Sequence, residues 1–145
     1  SDVASYTVPN PSISINTNGQ WQSYSSGLSS SNYYSYRSYS NYHVDNSTAT
    51  MYLTISGYDT FTLYIRSYAE SSFDYTKAYE VDSNTSVKSN TSGYQYSDGT
   101  SLSSYKRVDY TGLGGTTHTI RIDYVKDGSV NNGDDRGYLV IPKNQ

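Results

Sequence analysis

The sequence predicts an all-β protein, an antiparallel β-sandwich of eight or nine strands in a jelly-roll arrangement. Three observations carry the prediction. Apolar and polar residues alternate with period two in several segments, the signature of half-buried strands. No segment repeats its apolar residues at the 3.6-residue period of a helix. Gly, Asn, Ser and Asp break the chain at hairpin-turn spacing. At 145 residues the chain reads as a single β-sandwich domain, 1–145, large enough to bury a core without staples. It has no Cys with which to make any.

The strands follow in order. Ser12–Ile15 and Gln20–Tyr24 open the domain. Ser25–Asn32 is expected to be an exposed loop, followed by a tyrosine-faced strand over Tyr34–Val44. Ala49–Ile55 alternates cleanly, and Phe61–Arg66 repeats the pattern with Phe61, Leu63 and Ile65 on one face. Gly57–Thr60 joins the two as a turn. Tyr75–Val81, Lys106–Tyr110, His118–Val125 and Gly137–Ile141 complete the set, with Gly112–Gly115 as a further turn.

Composition narrows the function. The chain holds 19 Tyr against 2 Phe and 1 Trp, in a background of Ser, Thr, Asn and Gly. A tyrosine offers a broad apolar face and a hydroxyl that needs a partner when buried. The same mixture serves antibody paratopes, where rigid aromatics give contact area at low entropic cost. A net charge of −3 leaves no basic field for nucleic acid or anionic lipid, and no apolar run is long enough to span a membrane as a helix. His43 and His118 are isolated in sequence, and no nucleophile elbow or pair of carboxylates at catalytic spacing stands out. The expectation is a protein that is not an enzyme.

Two segments resemble the CUB domain, an extracellular jelly-roll sandwich. They are Phe61–Asp82, with its acidic-aromatic-Asp-aromatic run, and His118–Ile141, with its strand, turn, Gly-rich loop and final Gly-aromatic strand. Many CUB domains bind calcium between these segments. The resemblance implies a calcium site with Asp74 and Asp127 as ligands. Arg66 stands where the family has a Glu, a departure that leaves Glu70 as the third ligand if the turn is shifted. The alternative is an ion-pair network in which Arg66 neutralises Asp74 and Asp127 without metal. Calcium is therefore the one cofactor in view. Ile65–Tyr75, Lys126–Tyr138 and Ile141–Gln145 also resemble Tyr/Ser-rich modules of surface or phage proteins of gut Bacteroidales, which implies display on a cell or virion surface.

The leading reading is a noncatalytic extracellular or virion-surface module that adheres to a glycan or protein receptor. Trp21, Tyr34, Tyr36 and Arg37 form one expected contact surface, and Tyr68, Tyr75 and Asp135 another. Asp134, Asp135 and Arg136 are expected to stay solvated in a long turn or to pair with neighbouring loops. The rival reading is a self-associating structural module of a fibre or repeat protein, joined through tyrosine-rich strands.

Overall fold

The computed structural model describes residues 10–25, 28, 31–94, 99–128 and 133–145. The alternating segments become ten strands: β1 (Ser12–Asn16), β2 (Trp21–Ser23), β3 (Tyr33–Ser38), β4 (Thr48–Ser56) and β5 (Phe61–Tyr68) in the first half. The second half holds β6 (Tyr75–Tyr79), β7 (Val87–Ser92), β8 (Lys106–Tyr110), β9 (His118–Val125) and β10 (Arg136–Pro142). A 3₁₀ turn, Leu102–Ser104, precedes β8. Half of the expected loop Ser25–Asn32 and part of 127–136 lie outside the described residues.

The strands form two five-stranded sheets, β1-β4-β9-β6-β7 and β2-β3-β10-β5-β8, with antiparallel pairing throughout. From β3 onward the chain alternates between sheets at every step except β6 to β7, giving the orders β4-β9-β6-β7 and β3-β10-β5-β8. These are the paired Greek keys of a jelly roll. β1 and β2 extend it by adding to the outer edges of β4 and β3.

The core lies between the sheets and follows the alternation. Met51, Leu53 and Ile55 of β4 face Phe61, Leu63 and Ile65 of β5, with Ile120, Ile122 and Leu139 filling the centre. Trp21 belongs here too: it is 2% exposed and its Nε1–H donates to the Ala49 carbonyl at 2.9 Å. Its ring is thus core, not contact surface. Cross-strand register puts Tyr34 opposite Ile141 and Tyr36 opposite Leu139, so both tyrosines point inward at the margin of the core, half-buried. Arg37, one residue on, points outward. The expected surface of Trp21, Tyr34, Tyr36 and Arg37 is therefore split between two faces.

Two strand assignments change. β3 stops at Ser38, and 39–44 turns instead, with Tyr42 N–H bonded to the Tyr39 carbonyl, Val44 N–H to that of Asn41, and His43 at φ 56°. β7 carries no apolar alternation, because what it turns toward the core is polar. Buried Thr91 meets Ser67 through Oγ1 at 3.0 Å, and Ser67 Oγ also bonds Thr76 Oγ1 at 2.8 Å. A cluster of hydroxyls fills the sandwich where β5, β6 and β7 meet. Gly137 borders it because a Cβ there would stand 2.5 Å from Thr76 Oγ1 and 3.0 Å from the Tyr124 ring.

Replacing Tyr34 or Tyr36 with Ser should each lower stability by about 1–2 kcal/mol in urea unfolding, less than the roughly 3–5 kcal/mol of a fully buried aromatic. A change within about 0.5 kcal/mol, the range of surface substitutions, would mean that the rings do not pack on the core.

Candidate functional site

Jelly-roll connectivity gathers four loops at one end of the sandwich: 39–47, 69–74, 93–105 and 126–135. Hydrogen bonds tie them to one another. Asn46 N–H donates to the Asp127 carbonyl, Ala69 N–H to that of Gly93, and His43 N–H to Asp135 Oδ2 at 2.8 Å.

At the centre is a buried ion pair. Lys126 Nζ lies 2.5 Å from Asp135 Oδ1, with both side chains at 1% exposure or less. The Tyr124 hydroxyl donates to the same oxygen at 2.9 Å, and burial beside this carboxylate raises the Tyr124 pKa far above the phenol range. Asp135 is thus inside the protein with donors on both oxygens: it pairs with the neighbouring 39–47 loop, as one of the two expectations had it, and is neither solvated nor placed to touch a ligand.

Lys126 leads directly into Asp127, whose N–H donates to Asp74 Oδ1 at 2.9 Å. Asp74, Glu70 and Asp127 converge, with ligand oxygens within 4.8 Å of one another. Glu70 and Asp74 come from the turn between β5 and β6 and share a backbone bond, Asp74 N–H to the Glu70 carbonyl. Asp74 is fully buried, yet its Oδ2 has no hydrogen-bond partner among the described residues, and neither does the buried Glu70 Oε2. Burial raises the pKa of Glu70, and the Asp127 and Asp74 carboxylates raise it further. Burial likewise raises Asp74, against the Asp127 N–H and Lys126, which pull it down. Acids that repel one another, two of them with a buried oxygen that has no donor among the described residues, suit a hard cation, which takes oxygen ligands and prefers charged ones. The residues therefore fit calcium.

Arg66 takes no part in this cluster. The charges acting on Asp74 are those of Lys126, Asp127 and Asp135. Arg66 points from the outer face of its sheet, where its guanidinium lies 3.9 Å from the Tyr138 ring centroid and 5.3 Å from that of Tyr105. With half-buried Tyr24, Tyr33, Tyr64 and Tyr68, these rings make a second, aromatic cluster outside the sandwich. The expected ion-pair network of Arg66 with Asp74 and Asp127 is replaced by stacking on aromatic faces.

Tyr68 and Tyr75 also separate. Tyr68 sits on the outer face of the β5 sheet, edge-on to Tyr94 at 5.1 Å. Tyr75 lies on the outer face of the other sheet, paired across to Val125. Exposed rings gather at the rim of the loop end. Of six exposed large hydrophobic side chains among the described residues, Tyr39, Tyr42, Val44, Phe73 and Tyr94 are there, and only Val87 is elsewhere. Tyr42 stacks on His43 at 3.9 Å, with the Arg136 guanidinium 4.2 Å from its ring.

At the opposite end His118 forms a line that sequence spacing hides. Nδ1 is 2.7 Å from Asp82 Oδ2, and Nε2 is 2.9 Å from Thr116 Oγ1 and 3.0 Å from the Leu113 carbonyl. The order Asp-His-Thr resembles a nucleophile triad, but the protonation is wrong for one. The Asp82 carboxylate and the Leu113 carbonyl both accept, which raises the His118 pKa and favours an imidazolium with no free base nitrogen. The line pins the 111–117 turn to the strand ends. Comparison with known proteins adds no relative: no family model, no curated protein and no solved structure matches this chain.

Two outcomes follow. Asp135→Ala should cost roughly 3–5 kcal/mol in chemical denaturation, because it strips a buried lysine of its carboxylate; a cost under about 1 kcal/mol would show the pair to be solvated. The His118–Asp82 pair should act in a pH window. The raised His118 pKa gives stability that is complete below about pH 6.5 and lost as pH rises through its folded value. The lowered Asp82 pKa gives stability present above about pH 4 and lost as pH falls through its own folded value. His118→Gln should therefore be most destabilising near pH 5, by less than about 1 kcal/mol for so exposed a pair, and nearly neutral at pH 9. A deficit independent of pH would show that charge plays no role there.

Proposed function

We propose that this protein is a noncatalytic binding module of a cell or virion surface, adhering to a protein or glycan receptor through the loop end, with calcium held by Glu70, Asp74 and Asp127. The observation that carries the reading is the gathering of exposed aromatic side chains around an under-bonded acid cluster. Exposed apolar rings ringed by polar loops favour association. Calcium would fix the loops that present them, supplying charge that the triad lacks. The jelly-roll topology supports the resemblance to CUB-like domains, and the Tyr- and Ser-rich composition supports an extracellular or virion setting.

Self-association as a bead of a fibre is the rival. Exposed rings could serve it equally, but two of the four edge strands are poorly suited to strand pairing. β8 carries Lys106, Arg107 and Asp109 along its edge, and β7 carries Lys88; charges of this kind discourage edge-to-edge contact. Sedimentation velocity separates the two: a receptor module stays monomeric with rising concentration, and a self-associating one does not.

Calcium should raise the melting temperature, with a gain of about 2.7 kcal/mol when its concentration is a hundred times Kd, and magnesium should do far less. The raised pKa values of Glu70 and Asp74 mean that the metal-free protein binds protons more tightly than the unfolded chain. Its stability should then fall as pH rises from about 4 through the folded values. Glu70→Gln should make the metal-free protein more heat-stable at pH 7 and erase the calcium response. A melting curve indifferent to both calcium and chelator would remove the metal from the proposal.

A further inference from the structure

Away from the loop end, the β2-β3-β10-β5-β8 sheet carries two adjoining cavities, one on its outer face and one at the edge of β3 beyond the end of β2. One, of about 280 Å³, is walled by Tyr33, Tyr64, Leu102 and Arg107 over Pro142. The other, of about 230 Å³, lies between Tyr24, Tyr34, Tyr36, Ser35 and Lys143, and Tyr33 lines both. The first cavity exists because β10 stops short. Its pairing with β5 ends at Val140 and Tyr64, leaving the Thr62 backbone without a strand partner on that side. The Gln145 amide substitutes for one: its Oε1 accepts from Thr62 N–H at 2.7 Å and its Nε2 donates to the Thr62 carbonyl at 2.9 Å. The chain beyond β10 thus becomes a floor and not a further strand.

The lining chemistry is specific. Each cavity is smaller than the roughly 300–1,000 Å³ of sites for drug-sized ligands, and suits a single ring. Half-exposed tyrosine faces make the walls, and Tyr33 divides them as a shared partition. Polar groups are spaced between the rings: the Asn144 amide at the first cavity, and at the second the Ser35 hydroxyl, which is buried with no partner among the described residues. Among the described residues no acidic side chain lines either cavity, while each has one cation. Arg107 is already neutralised by Asp109, whose two oxygens lie 2.9 and 3.1 Å from its Nε. Exposed Lys143 has a tyrosine face in place of an acid, its Nζ 4.8 Å from the Tyr34 ring centroid.

We propose that this trough is a glycan-binding site for two consecutive sugar rings, a neutral ring between Tyr33 and Tyr64 and a uronic acid ring beside Lys143. Aromatic faces take the C–H faces of the rings, amide and hydroxyl groups read their hydroxyls, and Lys143 takes the carboxylate. The site is separate from the loop end and needs no calcium.

The test is an amide-resolved NMR titration of the calcium-free protein with cellobiose, lactose, diacetylchitobiose and tetrasaccharides of hyaluronan, chondroitin and alginate. At least one uronic acid oligosaccharide should give saturable shifts at Tyr33, Tyr64 and Lys143, and bind more tightly than the neutral disaccharides. Tyr33→Ala should weaken binding by about tenfold or more. Lys143→Gln, at an exposed position that leaves the fold intact, should weaken the acidic ligands by roughly two- to fivefold and leave neutral ones unchanged. No saturable shift at the trough from any of the six overturns the proposal, as does binding that Tyr33→Ala and Lys143→Gln both leave intact. Shifts confined to the loop end, and dependent on added calcium, would also remove the trough while leaving the adhesion module standing.

Discussion

The buried pair of Lys126 and Asp135 fixes the end of the molecule on which the functional reading rests. Asp135 receives donors from β9 through Tyr124, from the residue after β9 through Lys126, and from the 39–47 loop through the His43 N–H. One carboxylate thereby ties the end of β9 and the 39–47 loop to the start of β10. A buried charge pair of this kind adds little net stability over an apolar replacement, but breaking it is costly. Its consequence is positional. With Lys126 anchored inward, the next residue turns its N–H to Asp74 and its carboxylate toward Glu70, and the acid triad is assembled. Lys126 offsets part of the triad's negative charge.

Tyrosine explains how a chain with so few aliphatic residues builds both a core and a patterned surface. Buried tyrosines need acceptors, and the fold provides them: Tyr110 donates to the Tyr79 carbonyl at 2.6 Å, Tyr138 to Asp134 at 2.5 Å and Tyr105 to the Gly99 carbonyl at 3.2 Å. Each bond ties a strand to a loop or to the opposite sheet, which a phenylalanine could not do. On the outer face of the β5 sheet the same residue type makes a second cluster around the Arg66 guanidinium. That layer, and the half-exposed rings at its margin, give one face of the sandwich walls and cavities instead of a flat polar sheet.

Where period two was written in aliphatic residues, the strands were legible. Ala49–Ile55, Phe61–Arg66 and His118–Val125 need no tertiary knowledge, since one face of each is apolar and the other is not. β7 was illegible because its inward residues are hydroxyls, satisfied by Ser67 and Thr76 from other strands; nothing local marks them as interior. Tyr34 and Tyr36 were misread as display residues because tyrosine suits both sides of a strand. Register with β10 alone decides their side. The triad of Glu70, Asp74 and Asp127 was reachable only by resemblance, because its members come from two distant loops. Arg66 was rightly placed opposite the apolar face of β5, but that face holds tyrosines and not the acids. The His118 line was missed for the same reason as β7: its partners arrive from other segments.

The most direct test of the loop end is a crystal structure grown in millimolar calcium, with anomalous scattering used to locate the ion. The carboxylates of Glu70, Asp74 and Asp127 should surround a single peak at roughly 2.3–2.6 Å, completed by further oxygens to a total of about six to eight, with the Lys126–Asp135 pair unchanged beside it. A structure in which no peak appears, and in which Glu70 and Asp127 instead share a proton across a short hydrogen bond, would contradict a cation site at this end of the fold.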